Sequence, residues 1–227
     1  LGNNLDSKEG WANLIKENII TSMAQGGCGE EFSEIRPRGA EISGHRGICP
    51  GPIELMKGLN GAARMVRSGG GRRAANMIGL GLYHPDVEEF IDAKLIHGEL
   101  DMANISVTSL NTKEFIKAIK NNENWELSWK GKYKKQINAK YLWDKIVKNA
   151  WTSAEPGFLN MELALEESTI YYIENLIISN PCGEILLPPY GSCCLGHLVL
   201  PRFVKNGEVD LHELANVIRL GVRFLDN

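Results

Sequence analysis

The stretch Ala74–Tyr83, AANMIGLGLY, decides the fold class, because it combines small, apolar and aromatic residues around a single Asn and carries no charge. Such a run suits a strand buried in a sheet. His84-Pro85-Asp86 follows directly and is typical of the opening of a helix. The apolar face of that helix consists of Val87, Phe90, Ile91 and Leu95. The sequence therefore predicts a strand that leads straight into a helix.

The same alternation continues on both sides of this unit. Downstream, Ile105–Leu110 suits a second strand, and Thr112 begins a helix with apolar residues at helical spacing. Upstream, Asp6 and Glu9 have capping-box spacing in front of a helix over Trp11–Met23. Strands that alternate with helices predict a mainly parallel α/β sheet or barrel.

Further segments fit the same pattern. The short stretch before Ile35 suits a strand, and Pro52 is well placed to begin a helix. Another helix carries Leu142–Val147, and Asp210 opens the last one. We expect the Lys-rich stretch Lys130–Lys140 to form a solvated connection between elements.

Composition excludes several classes of protein. The chain has 227 residues, 43% of them hydrophobic, which is typical of a globular protein with a substantial core. Its net charge of -3 gives no electrostatic reason to expect binding to nucleic acid or to anionic membranes. No apolar run approaches the roughly 20 residues of a membrane span, and the polar start lacks the features of a signal peptide. We therefore expect a soluble, cytoplasmic protein.

The ends and the cysteines carry further information. The chain begins with Leu1 rather than Met, and apolar helical spacing continues to Leu225, so we expect a piece of a longer polypeptide. Five cysteines are too few for a disulfide scaffold in a chain of this length. Their odd number indicates free, metal-bound or catalytic thiols.

The segment Asn180–Glu184, NPCGE, concentrates the most reactive side chains. In an extended loop, residues two apart project to the same side. Cys182 would then offer a sulfur, Glu184 a proton acceptor and Asn180 a hydrogen bond to one small substrate.

Two other interpretations of this segment remain open from the residues alone. An ordinary turn with a buried thiol is one, because free Cys is usually a small core residue. A zinc site is the other, since Cys182, Cys193, Cys194 and His197 offer four ligands. The adjacent Cys193–Cys194 pair departs from the usual ligand spacing, however, and neither interpretation explains Glu184.

A second candidate is the glycine run Ser68–Arg73, SGGGRR. Glycines allow close approach of a ligand to the backbone, and two arginines can hold a phosphate through bidentate hydrogen bonds. A flexible surface loop is the alternative. The run lacks the terminal Gly-Lys-Ser/Thr of a P-loop, which argues against an ATPase of that type. Arg36 and Arg38, on either side of Pro37, form another possible anion site.

Taken together, these motifs resemble the catalytic subunit of ribonucleotide reductase. NPCGE at 180–184, followed by Cys193-x-Leu195-Gly196, resembles the active-site finger loop and the strand after it. Three further segments resemble motifs of the same family and occur in the same order, so the resemblance extends over essentially the whole chain. They are Gly26–Gly39, Gly69–Glu88 and Asn104–Val107. The residue sequence NPCGE most resembles the motif of the adenosylcobalamin-dependent class of ribonucleotide reductases.

The resemblance implies a fold in which two parallel half-barrels form a ten-stranded α/β barrel around the finger loop. Residues 1–227 would be one partial barrel domain with flanking helices, covering the first half-barrel. The effector-site helices and loops would occupy about 1–77, and the finger loop about 178–200. The first redox cysteine would lie just before Leu1, and the second half-barrel, a phosphate-binding loop and C-terminal cysteines would lie downstream. We expect such a piece to be inactive in isolation.

The resemblance also implies the chemistry, which is reduction of ribonucleotides to 2′-deoxyribonucleotides for DNA synthesis. Cys182 would carry the thiyl radical that removes the 3′ hydrogen, and Glu184 would take the 3′-hydroxyl proton. Asn180 would hold the ribose hydroxyls. Cys193, with the upstream cysteine, would supply the reducing equivalents. A non-catalytic nucleotide-binding piece is the competing class.

Cofactor and partners follow from the same resemblance. Adenosylcobalamin would supply the radical, and the alternative is a metal-containing partner subunit. The other partners would be a thioredoxin-type reductant, a dNTP or ATP effector and a second copy in a homodimer. If the gene is split, a second chain would complete the barrel.

By the same resemblance, residues near the amino terminus would bind the effector. Asp6 and Ser7 would contact its base or ribose, and Arg36 its phosphates. The helices Trp11–Met23 and Ile53–Val66 would build the dimer interface. The loop that connects effector and substrate would contain Gly70, Gly71, Arg72 and Arg73.

Three positions depart from the family pattern. Cys194 stands where Asn is usual, and Cys28 and Glu31 replace residues that are commonly apolar or amide. A charged Glu31 facing a diphosphate would repel it. We therefore expect that Glu31 points away or that the substrate pocket is altered.

Overall fold

The structure, a computed structural model, describes residues 5–42, 47–68, 71–95 and 99–226, without the side chains of 67, 68 and 72. These residues divide into two compact units, Leu1–Tyr190 and Gly191–Asn227, each described by itself below.

The elements of the first unit alternate as the sequence predicts. Its helices are α1 (Lys8–Met23), α2 (Pro52–Met65), α3 (Val87–Asp92), α4 (Thr112–Lys120), α5 (Ala139–Ser153) and α6 (Met161–Glu166). Its strands are β1 (Cys28–Glu31), β2 (Arg67–Ser68), β3 (Arg72–Arg73), β4 (Asn76–Gly81), β5 (Ala103–Ser109), β6 (Asn124–Trp129), β7 (Lys132–Asn138), β8 (Gly157–Asn160), β9 (Ile178–Ser179) and β10 (Leu186–Leu187).

A four-stranded parallel sheet forms the centre of this unit, in the order β1-β4-β5-β8. Every residue of β4 is buried, as its apolar sequence predicts. Helices pack against the sheet around a core that includes Phe32, Ile78, Phe90 and Phe115. The predicted parallel α/β class is confirmed. Within the described residues the sheet is open, which fits a partial barrel rather than a closed one.

Three predictions about local structure in the first unit are wrong. Leu95 does not belong to the apolar face of α3, because this helix ends at Asp92 and Leu95 is exposed. Lys130–Lys140 is not a connection, because it contains the whole of β7, which pairs antiparallel with β6. The N-cap of α1 is Ser7 rather than Asp6, since the Ser7 hydroxyl accepts a hydrogen bond from the Gly10 N–H at 3.0 Å. Ser and Asp are both favoured N-cap residues, so residue type alone does not decide between two adjacent positions.

The second unit contains a 3₁₀ turn (Leu200–Phe203), a hairpin of β11 (Val204–Lys205) and β12 (Glu208–Val209), and helix α7 (Leu211–Asp226). Asp210 opens α7 as predicted, since its carboxylate accepts a hydrogen bond from the Glu213 N–H at 2.9 Å. The strand expected around Cys193–Gly196 is wrong, because residues 191–199 form no regular secondary structure. No helix in the described part of the chain is long and apolar enough to cross a membrane.

Candidate active site

The NPCGE motif forms the turn of a short hairpin. Strands β9 and β10 pair antiparallel, and the Asn180 N–H donates to the Ile185 carbonyl at 3.1 Å. Inside the turn, the Gly183 N–H donates to the Asn180 carbonyl at 3.0 Å. Gly183 has φ of 86°, a left-handed conformation that favours glycine. We call residues 178–187 the finger hairpin.

The three predicted catalytic residues of this motif occupy one turn. The Asn180 amide donates to a Glu184 carboxylate oxygen at 2.8 Å, and its own oxygen accepts from the Ile185 N–H at 3.2 Å. Cys182 lies between them with an exposed side chain. The predicted proximity of Asn180 and Glu184 is found, but a turn produces it rather than the extended loop that the spacing suggested.

Glycines in the sheet allow the finger hairpin to lie close against it. A Cβ at Gly29 in β1 would overlap the Ser179 carbonyl, and one at Gly79 in β4 would lie 2.5 Å from Ile178 Cδ1. A Cβ at Gly27 would lie 2.6 Å from Pro181 Cγ. Real side chains do not tolerate such distances. The glycine motif at 26–29 therefore provides the space in which the hairpin packs.

Two cavities adjoin the tip of the finger hairpin. The larger, of about 610 Å³, is lined by Cys182 and by residues of β4, β5 and β8. A Lys94–Glu155 ion pair of 3.0 Å also lines it, with side chains only 17% and 16% exposed. The smaller cavity, of about 220 Å³, is lined by Arg73 and Asp101 among others. No sequence pattern indicates the Lys94–Glu155 pair, because its members are 61 positions apart.

Asn104 belongs to both cavities, and no role was predicted for it. Its amide donates to the Pro181 carbonyl at 2.6 Å. Asn104 and Pro181 each line both the larger and the smaller cavity. Their contact therefore forms part of the wall between the two spaces.

The three residues predicted to bind an effector lie together at the start of α1. The Arg36 guanidinium donates from Nε and from a terminal nitrogen to the two Asp6 oxygens, each at 2.9 Å. Its other terminal nitrogen donates to the Glu41 carbonyl at 2.8 Å. The hydrogen bonds with Asp6 raise the pKa of Arg36. In this structure Asp6 and Arg36 thus contact each other, next to the Ser7 cap.

The predicted communication loop is described only in part. Gly70 lies outside the described residues, and so does the side chain of Arg72. Gly71 has φ of 104°, and Arg73 lines the smaller cavity. Arg72 and Arg73 of the loop form β3, which pairs antiparallel with β2.

The unusual residues of β1 are held inside the protein. Glu31 accepts hydrogen bonds from the Ser33 N–H, at 3.1 Å, and from the Ser33 hydroxyl. Burial raises the pKa of Glu31, and these hydrogen bonds oppose the shift. Burial and the neighbouring Glu30 raise the pKa of the Cys28 thiol to about 12.

Glu30 is a fully buried carboxyl group that sequence reasoning missed. The Asn18 amide donates to one of its oxygens at 2.5 Å and also to the Asn76 oxygen at 3.0 Å. Burial raises the pKa of Glu30 to about 7, against the opposing effect of the Asn18 hydrogen bond. A Glu in a short strand of mixed composition carries no signal of burial, which only the packing of α1 on the sheet creates.

The remaining cysteines have different surroundings. Cys49 is buried in the first unit, and its Sγ lies 3.5 Å from the Arg36 carbonyl. Cys193 and Cys194 belong to the irregular segment of the second unit, where Cys194 is exposed. Within the described ranges, no three His, Cys, Asp or Glu side chains are grouped so that they could hold a metal ion.

Comparison with known proteins agrees with this architecture. The family profile of the ribonucleotide reductase barrel domain matches residues 4–227. The vitamin B12-dependent ribonucleoside-diphosphate reductase of Thermoplasma acidophilum is 31% identical over 225 residues, which cover 98% of this chain and 29% of that protein. The enzyme of the same name from Mycobacterium tuberculosis strain H37Rv is 35% identical over 207 residues, or 90% of this chain and 29% of that protein.

A viral relative extends the comparison. The ribonucleoside-diphosphate reductase large subunit of vaccinia virus is 27% identical over 252 residues, which cover 97% of this chain and 33% of that protein. The chain thus spans about a third or less of these relatives. The chain belongs to the ribonucleotide reductase family and carries sequence of its barrel domain. The predicted family resemblance is confirmed.

Proposed function

We propose that this chain provides the thiol-bearing half of a ribonucleotide reductase active site. The observation that carries the proposal is the turn in which Asn180 holds Glu184 at 2.8 Å beside the exposed Cys182. A thiol, a carboxylate and an amide in one turn over a sheet suit radical chemistry on a ribose.

Each residue of the turn has one role in this proposal. The Cys182 sulfur, as a thiyl radical, takes the 3′ hydrogen atom of the ribonucleotide and becomes a thiol. A sulfur–hydrogen bond is close enough in strength to a carbon–hydrogen bond for the transfer to be reversible. Glu184 accepts the 3′-hydroxyl proton, which helps the 2′ hydroxyl to leave as water. Asn180 orients the ribose hydroxyls.

Reduction of the sugar requires two electrons and two protons, which come from a pair of thiols that becomes a disulfide. One proton leaves with the 2′ hydroxyl as water, the other stays at C2′, and Cys182 then returns its hydrogen atom to C3′. Cys193 is one thiol of this pair, and a cysteine expected upstream of Leu1 is the other. A thioredoxin-type reductant then restores both thiols.

The proposed radical source is adenosylcobalamin, as in the relatives whose names carry vitamin B12 dependence. Small-molecule pockets measure roughly 300–1,000 Å³. The cavity of about 610 Å³ beside Cys182 therefore has room for the adenosyl group of this cofactor next to the thiol. Ser106, Ser153 and Phe158 line the cavity and would hold that group. When bound, this cofactor supplies the radical that takes the hydrogen atom from the Cys182 thiol.

A metal-containing partner subunit is the rival radical source, because the vaccinia virus relative is named as a large subunit. Activity reconstituted with adenosylcobalamin alone would decide for the cofactor. A requirement for a second, radical-bearing subunit would decide against it.

The same proposal places a dNTP or ATP effector near the start of α1. Asp6 and Ser7 would contact its base or ribose, and Arg36 its phosphates. The loop of Gly70, Gly71, Arg72 and Arg73 would carry the signal to the substrate. Exposed apolar side chains on α1 and α2 support a homodimer through these helices: Ile20, Met23 and Met65.

Cys182→Ser in the complete reductase tests the proposal. The serine O–H bond is too strong to exchange hydrogen atoms with the ribose, so turnover should be abolished while ribonucleotide binding stays within about twofold of wild type. Cys28→Ser is the matched control, because that thiol is buried in β1. Substantial turnover by Cys182→Ser would overturn the proposal.

A further inference from the structure

Asn104 interrupts an otherwise buried strand. Strand β5 runs from Ala103 to Ser109, and Asn104 is its one exposed residue. An exposed amide contributes nothing to the apolar core, but the Asn104 amide makes a hydrogen bond to the finger hairpin. The face on which it lies is the one that meets the finger hairpin.

The contact that Asn104 makes is with the residue directly before the reactive thiol. Its Nδ2 donates to the Pro181 carbonyl at 2.6 Å, and Cys182 follows. The Pro181 ring is confined from another direction, since a Cβ at Gly27 would lie 2.6 Å from its Cγ and 3.0 Å from its Cδ. Strand β5 and the segment before β1 therefore hold the same proline, one through its carbonyl and the other through its ring.

This double contact fixes the part of the turn that the internal hydrogen bonds leave free. Within the turn, the Asn180 backbone and side chain bond to Gly183 and Ile185. Those bonds shape the turn but do not tie its tip to the sheet. The Asn104 hydrogen bond does, and it links the tip to the strand whose residues line the larger cavity.

We propose that Asn104 is a positioning residue that sets the place of the Cys182 sulfur relative to the sheet. The inference rests on the proposed role of Cys182. Transfer of an atom requires reacting atoms about 3–3.5 Å apart, and a misplacement of about 1 Å can cost about 100-fold in rate. A hydrogen bond one residue from the sulfur controls such a displacement.

The experiment compares Asn104→Ala and Asn104→Asp with the wild type in the complete reductase. Both variants lose the donated hydrogen bond at neutral pH, although Asp keeps the size of the side chain. We expect kcat to fall about 10- to 100-fold in both, with KM for the ribonucleotide within about twofold. Asn121→Ala is the matched control, because Asn121 is exposed and its amide contacts only Glu123 among the described residues. It should leave kcat unchanged.

Asn104→Gln provides a test of rescue, since it restores an amide donor on a longer side chain and should recover part of kcat. Gly27→Ala disturbs the same proline from its ring side and should lower kcat in the same way, without touching the Asn104 donor. A kcat that stays within twofold of wild type in both Asn104→Ala and Asn104→Asp would overturn the proposal. So would a KM that rises as much as kcat falls.

Hydrogen exchange separates a failure of this inference from a failure of the proposed function. The Gly183 and Ile185 amides should exchange at least about tenfold faster in Asn104→Ala than in wild type, whatever reaction the protein catalyses. Faster exchange, together with full turnover by Cys182→Ser, would refute the proposed function and leave the anchoring contact intact. Unchanged exchange would refute the anchoring role even if Cys182 proves essential.

Discussion

The Asn180 amide donates to the Glu184 carboxylate across 2.8 Å, so the two polar residues that flank Cys182 are joined to each other. This hydrogen bond closes the turn between side chains. A second one closes it through the backbone, where the Gly183 N–H donates to the Asn180 carbonyl. A carboxylate held in this way has a fixed orientation, as the proposed role of Glu184 as a base requires.

Glu184→Gln should therefore remove the proton acceptor while leaving the geometry of the turn unchanged. The Gln carbonyl can still accept the Asn180 hydrogen bond, but it cannot accept a proton. We expect kcat to fall about 100-fold or more with little change in ribonucleotide affinity. Steady-state kinetics and equilibrium binding measure the two effects. Retention of more than a tenth of wild-type kcat would remove Glu184 from the role of base.

Gly29→Ala should displace the finger hairpin, because its Cβ would overlap the Ser179 carbonyl. We expect a fall in kcat of about 100-fold and faster hydrogen exchange across the hairpin. Gly221→Ala is the control, since an added Cβ in α7 would have no atom within 4 Å apart from its chain neighbours and the backbone of the helix itself. That variant should keep full activity and gain up to about 1 kcal/mol of stability. Normal activity of Gly29→Ala would contradict the packing described for the hairpin.

The ion pair between Arg36 and Asp6 predicts how nucleotide binding depends on charge. Arg36→Ala removes the guanidinium proposed to bind phosphate, so deoxynucleoside triphosphate should bind at least about tenfold more weakly. Nucleotide-dependent dimerisation should weaken with it, as sedimentation with and without nucleotide would measure. Arg219→Ala, on α7, serves as the control for loss of one positive charge. A monomer that nucleotide leaves unchanged in the wild type would argue against the effector site itself.

Glu30 predicts a specific dependence of stability on pH. Its pKa is raised from 4.5 to about 7 in the folded state, so the folded protein binds the proton more tightly than the unfolded chain. The resulting stability is fully present below about pH 4.5 and is lost as pH rises through 7. Glu30→Gln imitates the protonated group and should therefore be more stable than wild type by roughly 3 kcal/mol at pH 8.

Denaturant unfolding at several pH values would measure this difference. It should shrink toward zero below about pH 4.5. Glu174→Gln, at an exposed position, is the control and should shift stability little at any pH. A Glu30→Gln variant no more stable than wild type at pH 8 would show that Glu30 is ionised without penalty in the folded protein.

Much of the fold could be predicted because its signals are local. The uncharged run of β4 and the Pro52 start of α2 indicate their structures within a few residues. Strand β7 was missed for a physical reason: all but its last two residues are exposed, so no alternation of polar and apolar residues marks it. Its position depends on β6, whose Trp125 and Trp129 donate to the Leu82 and Glu34 carbonyls.

In the candidate site, too, the sequence predicts the local features but not the contacts between distant residues. Asn180, Cys182 and Glu184 could be selected as candidates from the sequence, because three chemical groups within five positions are informative by themselves. The contacts that hold them could not be predicted, because Asn104 lies 77 positions from Pro181 and a lone Asn in a strand has no distinctive pattern. The same holds for Glu30, whose pKa is raised by burial against elements that are distant in the sequence.

The burial of Cys28 also decides which sulfur atoms of this chain react with added reagents. With a pKa of about 12, its thiol is ionised in only about one molecule in 10⁵ at pH 7, and the thiolate is the form that alkylating reagents attack. Cys182 and Cys194 are exposed. A brief treatment with iodoacetamide should therefore label these two first and spare Cys28, whose unlabelled peptide then serves as an internal standard for the others in mass spectrometry.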